Sequence, residues 1–184
     1  MERWHHVVWN AARTSVLEAS ICLSFEQCDE GRPRSGRAPA ATFYGHYHGP
    51  LQRLSLTGGH LGCGSIYLPE ELRGRHLGTF AMSEVVRWAR QWPEAAIEPI
   101  TLADGDGDPE NKERCNRFYE QFGLRSAYAN EDRKAGRSLP MTVADLVDSS
   151  AWEGHVEEHR FLETFAKHLE WGSTAERDLA WKAE

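Results

Sequence analysis

The chain has 184 residues, about one domain's worth at ~100 to 200 residues per domain, and 40% of them are hydrophobic, enough for a single core. With 21 basic against 28 acidic residues the formal net charge is -7, the wrong sign for coating phosphate backbones, so cationic partners are favoured over nucleic acid. No apolar run approaches the ~20 residues of a membrane span and Met1 to Asn10 lacks the flanks of an export signal, so the expectation is a cytoplasmic protein with no membrane partner.

Cys22, Cys28, Cys63 and Cys115 form no CxxC pair and read as scattered thiols of a reducing compartment. Ser15 to Phe25 is a short apolar run whose periodicity fits a strand or a short helix; we read it as a strand. Glu30 to Pro39 mixes Gly, Pro and three arginines without an apolar period, the mark of an exposed connection. Ala41 to His48, Leu51 to Thr57 and His60 to Leu68 follow, divided by Gly-Pro and Gly-Gly, and predict an antiparallel meander.

From Gly78 the period changes. Phe80, Met82, Val85, Val86, Trp88, Ala89 and Trp92 recur at helical spacing until Pro93 stops the run. Ala96 to Ala103 predicts a strand, and Asp108-Pro109 opens a helix over Glu110 to Phe122 with Gly123 as its C-cap residue. Strand, crossover helix and next strand imply one parallel pair in an otherwise antiparallel sheet, so the fold class is α/β, a mixed sheet with helices packed on it. Leu139 to Val147 is expected to supply a last strand, and Trp152 to Trp171 a helix with Val156, Phe161, Leu162, Phe165 and Leu169 along one side. The domain is read as residues 1–149. Residues 150–184 are expected to form a helical extension packed on it or at a homodimer contact.

Chemistry concentrates between Ile66 and Thr79. A strand leads into a loop with Arg73, Gly74, Arg75 and Gly78 at the mouth of a helix, where exposed N–H groups, close backbone approach and positive charge suit a phosphate or pyrophosphate. The same pattern also describes an ordinary solvated turn. Downstream, after the next strand, stands Asn111 to Leu124, NKERCNRFYEQFGL.

Together these segments resemble the GNAT superfamily of acetyl-CoA-dependent N-acetyltransferases. In that family an Arg/Gln-x-x-Gly-x-Gly/Ala loop grips the cofactor's pyrophosphate, and Arg73-Gly74-Arg75-His76-Leu77-Gly78 is similar to it at the first and last positions. His76 stands where the first glycine belongs, which sets the expectation that its backbone avoids the φ > 0 region. The later family motif is matched at Cys115, Phe118, Tyr119, Gly123 and Leu124, with Asn111 one residue early. The resemblance spans Leu61 to Leu124. It implies a GNAT-like acyl-CoA N-acyltransferase fold with two splayed parallel strands, acetyl-CoA as donor, and an amine-bearing acceptor, here cationic.

The resemblance also implies site residues. Ile66, Tyr67 and Leu68 would line the pantetheine arm and supply an oxyanion donor, Arg73, Gly74, Arg75, His76, Leu77, Gly78 and Thr79 would hold the pyrophosphate, and Asn111 would assist. Tyr119 matches the family's general acid, while an aromatic packed between helix and sheet is the structural alternative. His60 is the nearest imidazole to serve as base; His46 and His48 share one face of a neighbouring strand, and each of the three also fits a half-exposed strand position. Asp104 to Asp108 is similar to the start of a calcium loop, but Pro109 replaces its glycine and Cys115 its bidentate glutamate, so no metal is expected. Two other classes share the features: a nucleic-acid-directed acetyltransferase using Arg32, Arg34, Arg37, Arg73 and Arg75, and a non-catalytic module that binds CoA.

Overall fold

The computed structural model describes residues 4–12, 17–29, 32–33, 41–56, 68–102, 109–129, 131 and 135–157. The apolar run near the N-terminus is strand β2, Glu18–Asp29, paired antiparallel with β1, Trp4–Ala12, which the sequence pattern had not disclosed. The connection after it contributes a two-residue strand β3, Arg32–Pro33, on the edge of β2. Strand β4 spans Ala41–His48, and β5 shrinks to Arg53–Ser55. The strand expected over His60 to Leu68 falls outside the described residues except for Leu68, which is not in a strand.

Alternation decides which face of the sheet is dry. Ala19, Ile21, Leu23 and Phe25 of β2 are buried, as are Ala41, Phe43 and Tyr47 of β4, and the register sets Leu23 against Phe43 and Ile21 against Gly45. Burying side chains of this size contributes ~1.5 to 3 kcal/mol each. Helix α1, Leu77–Ala89, packs on this face. It comes close because Gly45 has no side chain: a Cβ there would stand 2.8 Å from Ile21 Cγ2 and 3.0 Å from both Trp88 Cζ3 and Val85 Cγ1.

Helix α1 stops at Ala89, earlier than the apolar period suggests. The residue before a proline is disfavoured in the helical region, and Arg90 to Trp92 form a turn closed by Trp92 N–H donating to Ala89 O at 2.9 Å. Trp92 then stacks on Tyr47 of β4, centroids 4.2 Å apart.

One parallel pair is present, formed by β5 rather than by the expected strand His60 to Leu68, which lies outside the described residues apart from Leu68. Strand β6, Ala96–Ile97, runs parallel to β5 with Arg53 opposite Ala96 and Leu54 opposite Ile97. The larger sheet has the order β1-β2-β4-β5-β6 with β3 beside β2. The single strand expected from Ala96 to Ala103 is divided, because Thr101–Leu102 forms β7 in a second sheet. Helix α2 covers Pro109–Glu120, and Gly123 beyond it has φ 86°. Strands β8, Ser126–Tyr128, and β9, Gly136–Ser138, complete the second sheet in the order β7-β9-β8.

The strand expected over Leu139 to Val147 is corrected. Pro140 has no N–H to donate, Thr142 makes one isolated bridge to Ala96, and Val143–Asp145 forms a 3-10 turn. Thr142 and Asp145 cap that turn reciprocally, Thr142 N–H and Oγ1 donating to Asp145 Oδ2 at 2.8 and 2.9 Å. Both bonds hold the Asp145 carboxyl below its ordinary pKa, the backbone bond first.

The start of the expected helix Trp152 to Trp171 is corrected too, for Trp152 to Val156 are turns with Gly154 at φ 79°. Residues beyond 157 lie outside the described part. What precedes them is a strap along α1. Arg87 Nε donates to Asp148 Oδ2 at 2.9 Å, and Ser83 Oγ to Ser149 O at 2.8 Å. Trp152 sets its ring edgewise on Phe80 at 5.0 Å, and His155 stacks on His76 at 4.1 Å and 14°. His76, Phe80, Ser83 and Arg87 form one helical stripe, so the strap covers the side of α1 turned away from the sheet. Every α1 residue except Glu84 and Arg87 is therefore buried.

Candidate functional site

The site begins where β5 and β6 part. Ala96 N–H donates to Gln52 O and Glu98 N–H to Leu54 O, both at 2.8 Å, the alternating pattern of a parallel ladder. The next donor in that series, Ile100 N–H, turns instead to Ser138 Oγ at 2.9 Å, and Ser138 N–H returns a bond to Ile100 O at 2.9 Å. Pro99, with no N–H, sits at the change of partner. The result is a fork between two parallel strands at their C-terminal ends.

Helix α1 starts at that end. Gly78 lies against Phe43, Val85 and Trp88 against Gly45, and Trp92 on Tyr47, so α1 runs along β4 in its direction and against β5. Its N-terminus is thus carried to the forked end, where ligands of open α/β sheets characteristically bind. The first bond of the helix joins Phe80 N–H to His76 O at 2.9 Å, leaving the N–H groups of Leu77, Gly78 and Thr79 without an acceptor inside the helix. The His76 side chain does not cap them. Such a turn suits an anionic group.

The approach to α1 is braced. Glu70–Leu72 forms a 3-10 turn, and Arg73 Nε donates to Leu68 O at 2.8 Å, so this arginine ties the loop to the chain that precedes it. Gly74 has φ 70° and is exposed, as is Arg75. The expectation for His76 is overturned: its φ is 60° and ψ 7°, the left-handed conformation that glycine adopts cheaply. For a residue with a Cβ this costs ~1 to 2 kcal/mol. His76 thus keeps the backbone shape of a glycine position, with His155 stacked on its ring.

The two motif segments meet. A Cβ on Gly78 would lie 2.9 Å from Leu68 Cδ1, 3.5 Å from Phe118 Cε2 and 3.6 Å from Phe43 Cζ, which places α2 directly over the first turn of α1. Tyr119, next to Phe118, is half-buried against the core and packs edge to face on it at 5.4 Å. Asn111 falls in the first turn of α2. Leu68 and Arg73 to Thr79 are therefore gathered with Phe118, while His60, Ile66 and Tyr67 lie outside the described residues, as does Asp104 to Asp108.

The remaining imidazoles separate by role. His48 Nδ1 accepts Leu51 N–H at 3.3 Å and Nε2 stands 3.7 Å from Glu18 Oε1, a turn-capping role on the sheet edge. His46 is half-buried on the face opposite the core and pairs across the ladder with Ser55, the β5 residue at the fork. Sequence reasoning did not anticipate the part of Trp152 and His155, whose irregular spacing through turns gives no periodic signal.

A separate groove of about 1020 Å³ is lined by Glu120, Leu124, Arg125, Leu139 and Met141 among others, and none of its lining residues belongs to α1 or to the loop before it. Among the described residues no group of three His, Cys, Asp or Glu side chains gathers to hold a metal ion. None of the described helices is long and apolar enough to cross a membrane.

No protein-family model matches the chain, and no curated protein matches it in sequence. Among solved structures it is similar to a nourseothricin acetyltransferase, at 14% identity over 75% of this chain and 86% of that chain, with a TM-score of 0.40. A score of that size marks a loose likeness of architecture.

Proposed function

We propose that this protein is a GNAT-type N-acetyltransferase that moves an acetyl group from acetyl-CoA to a primary amine of a small molecule, peptide or protein. The observation that carries this reading is the parting of β5 and β6 after Leu54 and Ile97 with the uncapped first turn of α1 beside it. Three N–H groups without helical acceptors meet the pyrophosphate, Arg75 adds exposed positive charge, and the fork admits the pantetheine arm. The order of the sequence motifs and the contact of Gly78 with Phe118 support the same reading.

Reaction occurs by direct attack in a ternary complex. The amine, neutral when it attacks, forms the new C–N bond at the thioester carbon, and a backbone N–H of Ile66 to Leu68 receives the developing oxyanion. Collapse breaks the C–S bond. The Tyr119 hydroxyl gives its proton to the departing CoA sulfur, and His60 removes the surplus proton from nitrogen. Excess acidic charge on the protein favours a cationic acceptor.

Calorimetry with CoA and acetyl-CoA tests the donor side directly. Binding at micromolar to sub-millimolar concentration is expected. No heat of binding at millimolar CoA removes the reading.

A further inference from the structure

We propose that the strap of residues 148–156 is a clamp that sets the shape of the Arg73 to Thr79 loop, with His155 as the positioning residue that holds His76 in its left-handed turn. The inference rests on the reading of that loop as the pyrophosphate site. The strap has an anchor and an arm. Trp152 is buried against Phe80 and beneath the Arg87 guanidinium, 5.4 Å from its ring centre, while Asp148 and Ser149 bind Arg87 and Ser83. From that anchor a turn closed by His155 N–H donating to Trp152 O at 3.0 Å, with Gly154 at φ 79°, carries His155 out to the end of α1.

At that end stands the residue that needs support. His76 holds a backbone conformation unfavourable for any side chain with a Cβ, and its carbonyl accepts the first helical bond, from Phe80 N–H. Were His76 to relax, that bond would open and the loop would turn away from the N–H groups of Leu77 to Thr79. The His155 ring lies nearly parallel to the His76 ring at 4.1 Å, so the stack ties the side chain of this left-handed residue to the strap. A glycine at this position needs no such partner; a histidine makes the loop's shape depend on a segment far along the chain. Docking of the strap and competence of the loop thus become one equilibrium, and a ligand that requires the competent loop binds more weakly in proportion to the fraction lost.

Amide hydrogen exchange and CoA calorimetry on the full chain test this together. The Phe80 amide reports directly on His76, because His76 O is its acceptor, and Arg90, bonded to Val86 O, serves as the internal control at the other end of α1. His155→Ala is expected to lower Phe80 protection about five- to thirtyfold, the range of one to two kcal/mol, with Arg90 unchanged and CoA affinity reduced only by the factor by which the competent fraction of the loop falls. His155→Phe keeps a ring to stack and should restore both. In a His76→Gly background, His155→Ala should have no further effect on either. Unchanged Phe80 protection in His155→Ala overturns the clamp, as does a loss that persists undiminished in the His76→Gly background. A wild-type protein that fails to bind CoA, yet loses Phe80 protection in His155→Ala, would overturn the pyrophosphate reading and leave the clamp standing.

Discussion

Phe118 of α2 closes on Gly78 of α1, its Cε2 only 3.5 Å from where a β-carbon at that glycine would be. Two segments separated by the strands β6 and β7 thus meet over the first turn of a helix. The contact explains why a glycine is placed inside a helix, where alanine is ordinarily favoured by ~1 kcal/mol. The tighter neighbour is Leu68 Cδ1 at 2.9 Å, the end of a flexible side chain that has room to shift. Gly78→Ala is therefore expected to change stability by no more than about 1 kcal/mol, the helical gain offsetting the displacement. The displaced Leu68 enters the path proposed for the pantetheine arm, so CoA affinity should fall. Urea titration and calorimetry on the same sample check both halves; unaltered affinity would place the arm elsewhere.

Gly45 offers the opposite case. There the missing β-carbon faces Ile21 Cγ2, the Trp88 ring and Val85 Cγ1, all in the dry layer between sheet and helix. None of these is a free side-chain end with solvent behind it, so Gly45→Ala should cost ~1 to 3 kcal/mol by overpacking. For a chain of this size that lowers Tm by roughly 2 to 4 °C per kcal/mol. A thermal midpoint equal to that of the wild type would mean that α1 slides on the sheet.

Tyr119 carries the mechanistic prediction. If its hydroxyl protonates the leaving thiolate, Tyr119→Phe lowers kcat by roughly 10- to 1000-fold while the Kd for CoA stays within about a factor of two, because the lost group acts on the transition state. The ring itself packs on Phe118 and the core, and phenylalanine preserves that packing. Steady-state kinetics with an identified amine and chemistry limiting decides the matter. A kcat equal to the wild type assigns Tyr119 to packing alone.

The legible parts of this fold are those in which a period survives tertiary packing. Ala41, Phe43 and Tyr47 alternate, and β4 appears with the bounds the sequence suggests; Met82, Val85, Val86 and Ala89 mark the sheet-facing side of α1. Strand β1 escaped notice because His5-His6 and Val7-Val8-Trp9 set like residues side by side, so no alternation emerges. The stack of His155 on His76 was invisible, since both the left-handed turn and its support are tertiary facts. The splay expected between the His60 to Leu68 strand and its neighbour falls outside the described residues, and the transfer of Ile100 N–H from β5 to Ser138 has no local signature.

Asp145 gives a prediction in pH. Its pKa is lowered by the Thr142 backbone bond and then by the Thr142 hydroxyl, so the folded state binds this proton less readily than the unfolded chain. The stabilisation is complete above the ordinary aspartate value of ~3.9 and is lost as pH falls through the depressed folded value. The urea midpoint of the wild type should therefore exceed that of Asp145→Asn by a constant margin near neutrality, and the margin should close only at more acidic pH. A margin that shrinks between pH 8 and 6 would assign it to another group.

Arg87 tests whether the strap is held by attraction or by the cost of letting go. Its Nε donates to Asp148 Oδ2 at 2.9 Å, and that bond is the first cause of an arginine pKa above its usual value, so the guanidinium stays charged at any working pH. The Arg87 side chain is 40% exposed, which limits the ion pair itself to about 0 to 1 kcal/mol. Asp148 is in a different position: its other oxygen, Oδ1, is buried and has no hydrogen-bond partner among the described residues. Removing the arginine leaves a carboxylate only 24% exposed, without its charged donor and with one oxygen still buried and unpartnered, a loss of ~1 to 3 kcal/mol. Arg87→Met, which keeps a chain of similar length over Trp152, should therefore destabilise more than the double variant Arg87→Met with Asp148→Asn, in which the stranded charge is gone. Urea midpoints of wild type, both single variants and the double complete the cycle. If the double variant is as unstable as the sum of the singles, the two residues are not coupled and the strap is held by Trp152 and Ser149 alone.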